Sequence, residues 1–340
     1  MNTDPQKDTE AIQKLFEGKP SNIVIFGHTH PDGDAVGAGL ALREFLILKG
    51  HNVNFVLPDE FPEFLSWMPD SKSILIHHDA DNLIETLIDK AEILIFVDLN
   101  SPSRVESLEH TIKKAMHSKI SILFDHHINP EKGFTHMFWM TDVSSTSELL
   151  FDFICETGNK HLITKCMAEN LYVGIMTDTG SFSYSCNNPG TYLAVSYFFT
   201  LGIDGSYIHQ HVYNTFTEDR LRLLGFSLSQ RLSVNKDSGG AYIALSAYDL
   251  EKFNYQVGDT EGLVNFTMSM QGIHFGALMT DLHKYIKISL RSEGLVDVNT
   301  IARQFFNGGG HRNAAGGYFY GSLSEACDIM DEIISKHIKI

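Results

Sequence analysis

The sequence predicts an α/β protein with two domains: a mostly parallel sheet flanked by helices, then a smaller α+β domain. Three observations lead to this fold class. The length of 340 residues exceeds one ordinary domain. The first half alternates short apolar runs with helical stretches, which favours parallel strands covered by helices on both faces. The second half has strand-like runs with fewer helices between them, as in an α+β domain.

The first domain is predicted to span residues 1–210. Its apolar runs are typical of buried strands: NIVIF (22–26), NVNFVL (52–57), EILIFVD (92–98) and ISILFDHH (120–127). Helical patterns separate them near 35–49, up to about 118, and from about 144 to 175. The last pattern starts at SSTSELL, where Ser144 or Ser145 would be the N-cap.

The second domain is predicted to span 233–340, after a connecting helix or linker at 211–232. Strands are expected at AYIALS, IHFGALMTDL and YIKISLRS. A short helix near 297–305, a glycine cluster and a closing helix at about 322–338 complete the expected order. The second domain therefore reads as its own sheet with a few helices.

Composition and charge exclude several classes of protein. Hydrophobic residues make up 43% of the chain, which indicates a real core. The apolar runs are too short for a membrane span, and the N-terminus lacks an apolar signal core, so we expect a cytoplasmic protein that does not bind membranes. Four widely spaced cysteines fit reduced thiols. The net charge is −16, and residues 215–340 carry 12 Lys and Arg against 14 Asp and Glu. This balance argues against binding to duplex DNA.

Polar clusters follow the predicted strands of the first domain. HTHPDGD follows NIVIF, Asp98 ends EILIFVD, and DHH (125–127) follows ISILF. A fourth cluster places Asp178 after a helical stretch in GIMTDTGSF. The carboxyl ends of parallel strands meet at one crevice, so these groups should converge there. Converging carboxylates repel one another unless cations neutralise them, which predicts a metal site.

The types of side chain narrow the choice of metal. Histidine and aspartate without cysteine suit Mn²⁺, with Co²⁺, Fe²⁺ or Mg²⁺ as alternatives. The set is large enough for two ions if one carboxylate bridges them: His28, Asp32, Asp34, Asp98, His126 and Asp178. Two ions roughly 3.5–4 Å apart clamp a phosphoryl group and turn a shared water into a hydroxide nucleophile. The expected chemistry is phosphoester hydrolysis without a covalent intermediate.

A glycine cluster marks the second domain. NGGGHRNAAGG (307–317) contains five glycines and two alanines around a central His-Arg pair. Missing side chains let the backbone approach a ligand, and exposed amides can hold a phosphate. Arg312 adds a donor fork suited to phosphate or carboxylate. Arg291 lies near the end of KISLRS. The sequence is equally compatible with a ligand contact and with a surface ion pair at this position.

Taken together, these motifs resemble the DHH phosphoesterase superfamily. The likeness rests on HTHPDGDA, VDLNSPSR, DHH and TDTGSF, and GGGHRNAAGG resembles the DHH-associated C-terminal domain. It spans nearly the whole chain. The two-domain length is most similar to the bacterial nanoRNases that are also pAp phosphatases, a group also called exopolyphosphatase-related.

The resemblance implies a role for each site residue. One metal would be held by His28, Asp32 and Asp98, and the other by Asp34, Asp98, His126 and Asp178, with Asp98 bridging. Asp125 would orient His126, and His127 would contact the scissile phosphate as a cation or donate a proton to the leaving oxygen. The active site would lie in the cleft between the domains. The implied substrate contacts are Arg104, Arg291, Gly309, Gly310, His311 and Arg312.

The expected function is therefore hydrolysis of short oligoribonucleotides to mononucleotides and of pAp to AMP and phosphate, with two divalent ions such as Mn²⁺. Other activities with the same metal chemistry remain open: exopolyphosphatase, pyrophosphatase, and phosphodiesterase acting on linear or cyclic dinucleotides. A nucleotide-binding protein without catalysis is a different class, and release of phosphate from pAp would exclude it. The sequence leaves a homodimer open.

Overall fold

The computed structural model of the protein describes residues 6–338, apart from the side chains of 78–81 and 337. The chain divides into two compact units after Thr215. The predicted linker 211–232 spans this division, since residues 211–213 end a helix of the first unit and Glu218–Phe226 form a helix of the second. Among the helices of the described residues, none has the length and apolar character that crossing a bilayer requires.

The first unit contains the mostly parallel sheet that the sequence predicts. Its strands in the described part of the chain are β1 (Gln6–Lys7), β2 (Asn22–Phe26), β3 (Asn52–Leu57), β4 (Leu75–Ile76), β5 (Ile93–Val97), β6 (Ile120–Asp125) and β7 (His136–Trp139). Their order across the sheet is β1-β7-β6-β5-β2-β3-β4. Neighbouring strands are parallel, except that β1 pairs antiparallel with β7. The order places β6, β5 and β2 side by side at the centre.

Helices cover both faces of this sheet. They are α1 (Thr9–Phe16), α2 (Gly33–Leu48), α3 (His77–Lys90), α4 (Glu109–Met116), α5 (Thr146–Glu156), α6 (Lys165–Asp178), α7 (Pro189–Thr200) and α8 (Gly205–Tyr213). Ile23 and Ile25 of β2 pack in the apolar cluster shared with α1, α2, α5 and α6. Val24 and Phe26 face the other cluster, with α3 and α4. Burial on both faces explains why these strands are continuous apolar runs.

Two helices begin at the crevice because of their N-caps. The Asp32 carboxylate accepts hydrogen bonds from the backbone N–H groups of Asp34 (3.0 Å) and Ala35 (3.1 Å), which starts α2. At α5 the cap is Ser145, whose hydroxyl accepts from the Glu148 N–H at 3.0 Å. This confirms the predicted cap and decides between the two serines.

Helices α2 and α6 pack backbone to backbone. A Cβ added at Gly37 of α2 would lie against the Asn170 carbonyl oxygen and 3.2 Å from the Gly174 nitrogen, both on α6. Glycine is therefore needed at this position for the two helices to approach so closely. The packing fixes the start of α2 relative to the end of α6.

The second unit has its own mixed sheet, as an α+β domain should. Its strands in the described residues are β8 (Leu232–Asn235), β9 (Gly240–Leu245), β10 (Phe275–Asp281), β11 (Ile286–Ser292), β12 (Gly309–Gly310) and β13 (Ala314–Phe319). The order is β12-β13-β11-β10-β9-β8, with β9 and β10 parallel and the other pairs antiparallel. The helices are α9 (Glu218–Phe226), α10 (Ala247–Lys252), α11 (Asn265–Met268), α12 (Val298–Phe305) and α13 (Leu323–His337).

The two faces of this second sheet differ in what covers them. One face packs against α12 and α13, around Phe275, Ile288 and Met330. On the other face a smaller apolar cluster includes Leu223 of α9, Leu250 of α10 and Leu278 of β10. Predicted strands and helices are confirmed here, whereas β8, α10 and α11 are too short for a periodic sequence signal.

We predict that Gly37→Ala destabilises the first unit by about 1–3 kcal/mol, because the added methyl overpacks the contact between α2 and α6. Gly225→Ala is the matched control: it lies in α9, where an added Cβ meets nothing within 4 Å. Alanine at this position should leave the free energy of unfolding unchanged or raise it by up to about 1 kcal/mol. Thermal denaturation of both variants measures the difference, and equal melting temperatures would contradict the proposed contact.

Candidate functional site

The predicted metal ligands meet at the carboxyl ends of the three central strands. His28 follows β2, Asp98 follows β5 directly, and His126 follows β6. Helix α2 contributes Asp34 in its first turn, and Asp178 is the last residue of α6. Sheet order and the packing of α2 against α6 thus bring together side chains that are up to 150 positions apart in sequence.

The first group of ligand atoms consists of His28, Asp32 and Asp98. One ligand atom from each lies within 4.8 Å of the others. His28 Nε2 is 3.4 Å from Asp98 Oδ2 and 3.9 Å from Asp32 Oδ1. The spacing suits three atoms arranged around a common cation.

The second group consists of Asp34, His126 and Asp178, again within 4.8 Å. His126 Nε2 lies 3.3 Å from Asp178 Oδ2, 4.0 Å from Asp34 Oδ2 and 3.6 Å from Asp98 Oδ1. Asp98 therefore presents Oδ2 to His28 of the first group and Oδ1 to His126 of the second. A carboxylate placed in this way can bridge two ions.

The tautomer of His28 fits metal binding. Its Nδ1 lies 2.8 Å from the Thr29 carbonyl oxygen, which can only accept a hydrogen bond, so Nδ1 carries the proton. Nε2 then has its lone pair toward the carboxylate oxygens of Asp98 and Asp32. Lone pairs that face each other are stabilised by a cation between them, and histidine with carboxylate suits Mn²⁺-type ions.

Burial makes the ionised cluster costly without cations. The pKa of Asp98 is raised well above its usual value by burial and by the charge of Asp32. Burial and Asp98 raise the pKa of Asp34 to about 7. Burial, with the positive charge of Arg104, lowers the pKa of His28. Since desolvation disfavours charge on each of these groups, positive ions would compensate for the repulsion.

The N-terminus of α5 supports two of the carboxylates. Asp34 accepts hydrogen bonds from the backbone N–H groups of Thr146 (2.7 Å) and Ser147 (2.9 Å), and Thr146 Oγ1 donates to Asp98 Oδ1 at 3.0 Å. A Cβ at Gly174 would lie 2.7 Å from Asp34 Oδ1, so this glycine leaves room for the carboxylate. This role of Thr146 and Ser147 has no signal in the sequence, where SSTSE indicates only a helix cap.

Asp98 also has an unusual backbone. Its φ is +59°, the left-handed region that few residues other than glycine adopt. The Asp98 N–H donates to the Phe124 carbonyl at 3.0 Å, which ties the turn to the end of β6. Strain of this kind persists where the surrounding structure enforces it, often at a functional site.

Asp125, His127 and Arg104 form a chain of hydrogen bonds beside the metal ligands. From the resemblance, Asp125 is expected to orient His126, and this role stays a prediction. In the structure Asp125 Oδ1 also accepts a hydrogen bond from His127 Nδ1 at 2.7 Å. Arg104 Nη1 lies 3.2 Å from His127 Nε2 and 3.4 Å from the Asp98 carbonyl oxygen. Because arginine only donates, Nε2 accepts here and the proton of the ring is on Nδ1.

This arrangement bears on the expected charge of His127. Burial and the neighbouring guanidinium of Arg104 hold the pKa of His127 well below its ordinary value. This direction agrees with the hydrogen bonds at the two ring nitrogens, which favour the neutral imidazole beside the Arg104 guanidinium. Arg104, the weakest candidate in the sequence, therefore lies in hydrogen-bond contact with His127 and with the backbone of Asp98.

The remaining predicted residues lie in the second unit, around the start of β13. Arg291 of β11 pairs with Ala314 of β13, and the Ala314 carbonyl accepts from the His311 N–H at 2.7 Å. Arg312 Nη2 donates to the Leu295 carbonyl at 3.3 Å. Register therefore places Arg291 and His311 close to the same residue of β13.

The glycines of this cluster have structural reasons of their own. Gly309 and Gly310 form β12 and pair with Gly316 and Ala315. Gly310 has a φ of +143°, and its N–H donates to Asn299 Oδ1 at 3.0 Å. The Gly310 N–H therefore already has a hydrogen-bond acceptor within the second unit. The expectation that exposed backbone amides of this loop hold a phosphate is limited to its other residues.

We predict that Asp98→Asn keeps or raises the melting temperature of the metal-free protein at pH 8, since the buried site loses a repelling charge. A gain of about 2–4 °C is expected for each kcal/mol of relief. Added Mn²⁺ should stabilise the wild type by ligand linkage and the variant much less. Differential scanning fluorimetry with chelator or with Mn²⁺ measures both effects.

The control for this experiment is Asp152→Asn. Burial raises the pKa of Asp152 to about 6, yet this residue of α5 lies outside both ligand groups. Its variant should keep the full stabilisation by Mn²⁺. An Asp98→Asn variant that responds to Mn²⁺ as strongly as the wild type would contradict the bridging role.

Comparison with known proteins identifies the family of both domains. Residues 22–175 match the N-terminal domain of the DHH family, and residues 239–336 match the DHHA1 domain. A solved structure of an exopolyphosphatase-related protein from Bacteroides fragilis is 40% identical, with a TM-score of 0.90, and the match covers 97% of this chain and 96% of that one.

Two curated relatives are more distant. The bifunctional oligoribonuclease and PAP phosphatase NrnA of Bacillus subtilis is 28% identical, over 92% of this chain and 93% of its own. The cyclic-di-AMP phosphodiesterase PdeA of Listeria monocytogenes is 27% identical over 90% of this chain, which covers 46% of that protein. Both domain matches and the identity across nearly the whole length lead to one conclusion: the chain belongs to the DHH family of phosphoesterases and carries a DHHA1 domain after the DHH domain.

Proposed function

We propose that the protein hydrolyses phosphoester bonds in short oligoribonucleotides and in pAp, with two divalent cations, preferably Mn²⁺. The observation that supports this most is Asp98, which presents one carboxylate oxygen to His28 and the other to His126. The similarity to NrnA over almost the full length of both chains supports the choice of substrate.

The ligands in this proposal are those that the structure brings together. His28, Asp32 and Asp98 would hold one cation, and Asp34, Asp98, His126 and Asp178 the other. When bound, the two ions would neutralise the phosphoryl oxygens and lower the pKa of a water molecule. Thr146 and the backbone of α5 keep Asp98 and Asp34 in place for this purpose.

His127 and Arg104 would contact the reacting phosphate. Asp125 fixes the imidazole through its Nδ1–H, which leaves Nε2 toward Arg104. His127 would first have to take up a proton at Nε2 as the anionic substrate binds before it could pass that proton to the leaving oxygen. The Arg104 guanidinium, next to Nε2, can donate to phosphoryl oxygens whose charge grows in the transition state. Together, these residues supply hydrogen bonds where the leaving group departs.

Residues of the second unit would bind the rest of the substrate. We propose that Arg291, His311 and Arg312 contact a phosphate or base, and that Gly309 and Gly310 shape the loop from which His311 extends. A unit with a charge balance of only −2 and few placed cations fits a short anion better than a long one.

Phosphodiesterase activity on linear or cyclic dinucleotides is the second candidate. The specific observation in its favour is PdeA, whose identity of 27% is close to that of NrnA. The same metal and Arg104 geometry would serve both reactions, so only the substrate distinguishes the two functions.

A substrate panel tests the proposal. Purified protein with Mn²⁺ or Mg²⁺ is incubated with pAp, pApA, pGpG, cyclic di-AMP, oligoribonucleotides of two to five residues, a long single strand, pyrophosphate and polyphosphate. We expect the highest kcat/KM for pAp and the short oligoribonucleotides, and loss of all turnover in Asp98→Ala. Preference for cyclic di-AMP would favour the second candidate, and equal cleavage of the long strand would contradict selection by size.

Arg104→Ala should lower kcat on pAp roughly 10²–10³-fold, the usual effect of removing one preorganised donor to a developing charge. Arg222→Ala is the control, because Arg222 forms an exposed ion pair with Glu218 on α9. Its kinetics should match the wild type. Steady-state rates with saturating Mn²⁺ provide the comparison, and an Arg104→Ala enzyme with wild-type kcat would rule out this role.

A further inference from the structure

One strip of the second sheet carries polar and charged side chains instead of the apolar side chains of its core. Along β11, Ile286, Ile288 and Leu290 are buried in the apolar cluster with α12 and α13. Alternation places Lys287, Ser289 and Arg291 on the opposite face, where they are half-buried. The strip therefore carries two cations and a hydroxyl in a single row.

The neighbouring strand places two small residues beside this row and an aromatic ring at its end. The partners on β13 are Ala314 opposite Arg291, Gly316 opposite Ser289, and Tyr318 opposite Lys287. Alanine and glycine are too small to cover the side chains beside them. The strip thus begins with Arg291 at one end and reaches Tyr318 at the other.

Three tyrosine rings cluster at that end. The ring centroid of Tyr285 is 4.9 Å from that of Tyr318, at an interplanar angle of 81°, and 6.4 Å from that of Tyr320, at 69°. Tyr320 is 72% exposed. Among the described residues, the two apolar clusters of the second unit do not include any of the three. These rings keep substantial aromatic surface outside the core.

We propose that this strip binds RNA bases and phosphates beyond the nucleotides that undergo hydrolysis. Tyr285 and Tyr320, together with Tyr318 of β13, would stack on one or two bases. Lys287 would form an ion pair with a phosphate of the RNA backbone. Aromatic side chains on a sheet beside cations are the usual platform for single-stranded nucleic acid. The inference rests on the proposed function, in which Arg291 contacts the substrate and so would mark the end of the strip from which a longer nucleotide chain extends.

The length of the strip determines which substrates can use it. Six positions separate Arg291 from Tyr285, which is about 20 Å at roughly 3.4 Å per residue of a strand. A mononucleotide such as pAp cannot span that distance from Arg291, whereas a chain of several nucleotides can. The tyrosines should therefore act on the affinity for longer oligoribonucleotides and leave pAp unaffected.

The test compares a pentaribonucleotide with pAp in variants of the tyrosine pair. We expect the double variant Tyr285→Ala with Tyr320→Ala to raise KM for oligoadenylate pentamer about tenfold, a typical effect of losing base stacking. KM for pAp should stay within about twofold, which also reports an intact fold. The pair Tyr285→Phe with Tyr320→Phe keeps the rings and should restore wild-type KM.

Two further measurements separate stacking from other effects. Tyr248→Ala is the matched control, because Tyr248 is also 72% exposed but belongs to α10 and is not one of the residues of the strip. The affinity for a 5′-labelled pentamer, measured by fluorescence anisotropy with chelator present, repeats the comparison without turnover. A pentamer with an abasic site at the stacked position should bind the wild type and the double alanine variant equally.

The outcomes distinguish this inference from the proposed function. Hydrolysis of the pentamer with unchanged KM and affinity in the double alanine variant would overturn the stacking subsite and leave the function standing. Weakened pentamer binding without hydrolysis by the wild type would support the subsite and defeat the function. A tenfold loss confined to the pentamer supports both.

Discussion

The buried carboxylate of Asp98 sets the constraint on which the first unit depends. It lies between His28 and His126, close to three further aspartates, and burial raises its pKa well above the ordinary value. The carboxylates of this cluster repel one another when ionised, so other interactions in the fold must hold them close together. The apolar packing on both faces of the sheet supplies the required rigidity, since strands fixed on two sides cannot separate their ends.

Backbone N–H groups also hold the carboxylates of this site. The start of α5 gives two N–H groups to Asp34, and the start of α2 gives two to Asp32. Helix N-termini carry partial positive charge, so each offsets some of the repulsion among the carboxylates. The crevice therefore combines two helix starts with three strand ends, and the ligands keep their positions through bonds to main-chain atoms.

Much of this organisation was predictable from local patterns. Strand β2, helix α5 with its Ser145 cap, and the convergence of His28, Asp98 and His126 follow from periodicity and strand ends. The supporting bonds of Thr146 and the pairing of Asp125 with His127 were not predictable, because they depend on how elements pack in three dimensions. Short elements such as β8 and α10 carry no periodic signal. The roles assigned to the second unit remain proposals that kinetics must test.

The tripeptide at the end of β6 shows how little room for change this site has. Asp125 and His127 bond to each other, while His126 between them reaches Asp34 and Asp178. Because alternate positions of an extended chain face opposite ways, losing or gaining a single codon here would exchange their partners. A substitution at one of these positions can weaken a single contact, whereas an insertion or deletion changes the contacts of all three residues. A one-residue insertion or deletion in this turn is therefore expected to disrupt the site more than a conservative substitution at any one of its three residues.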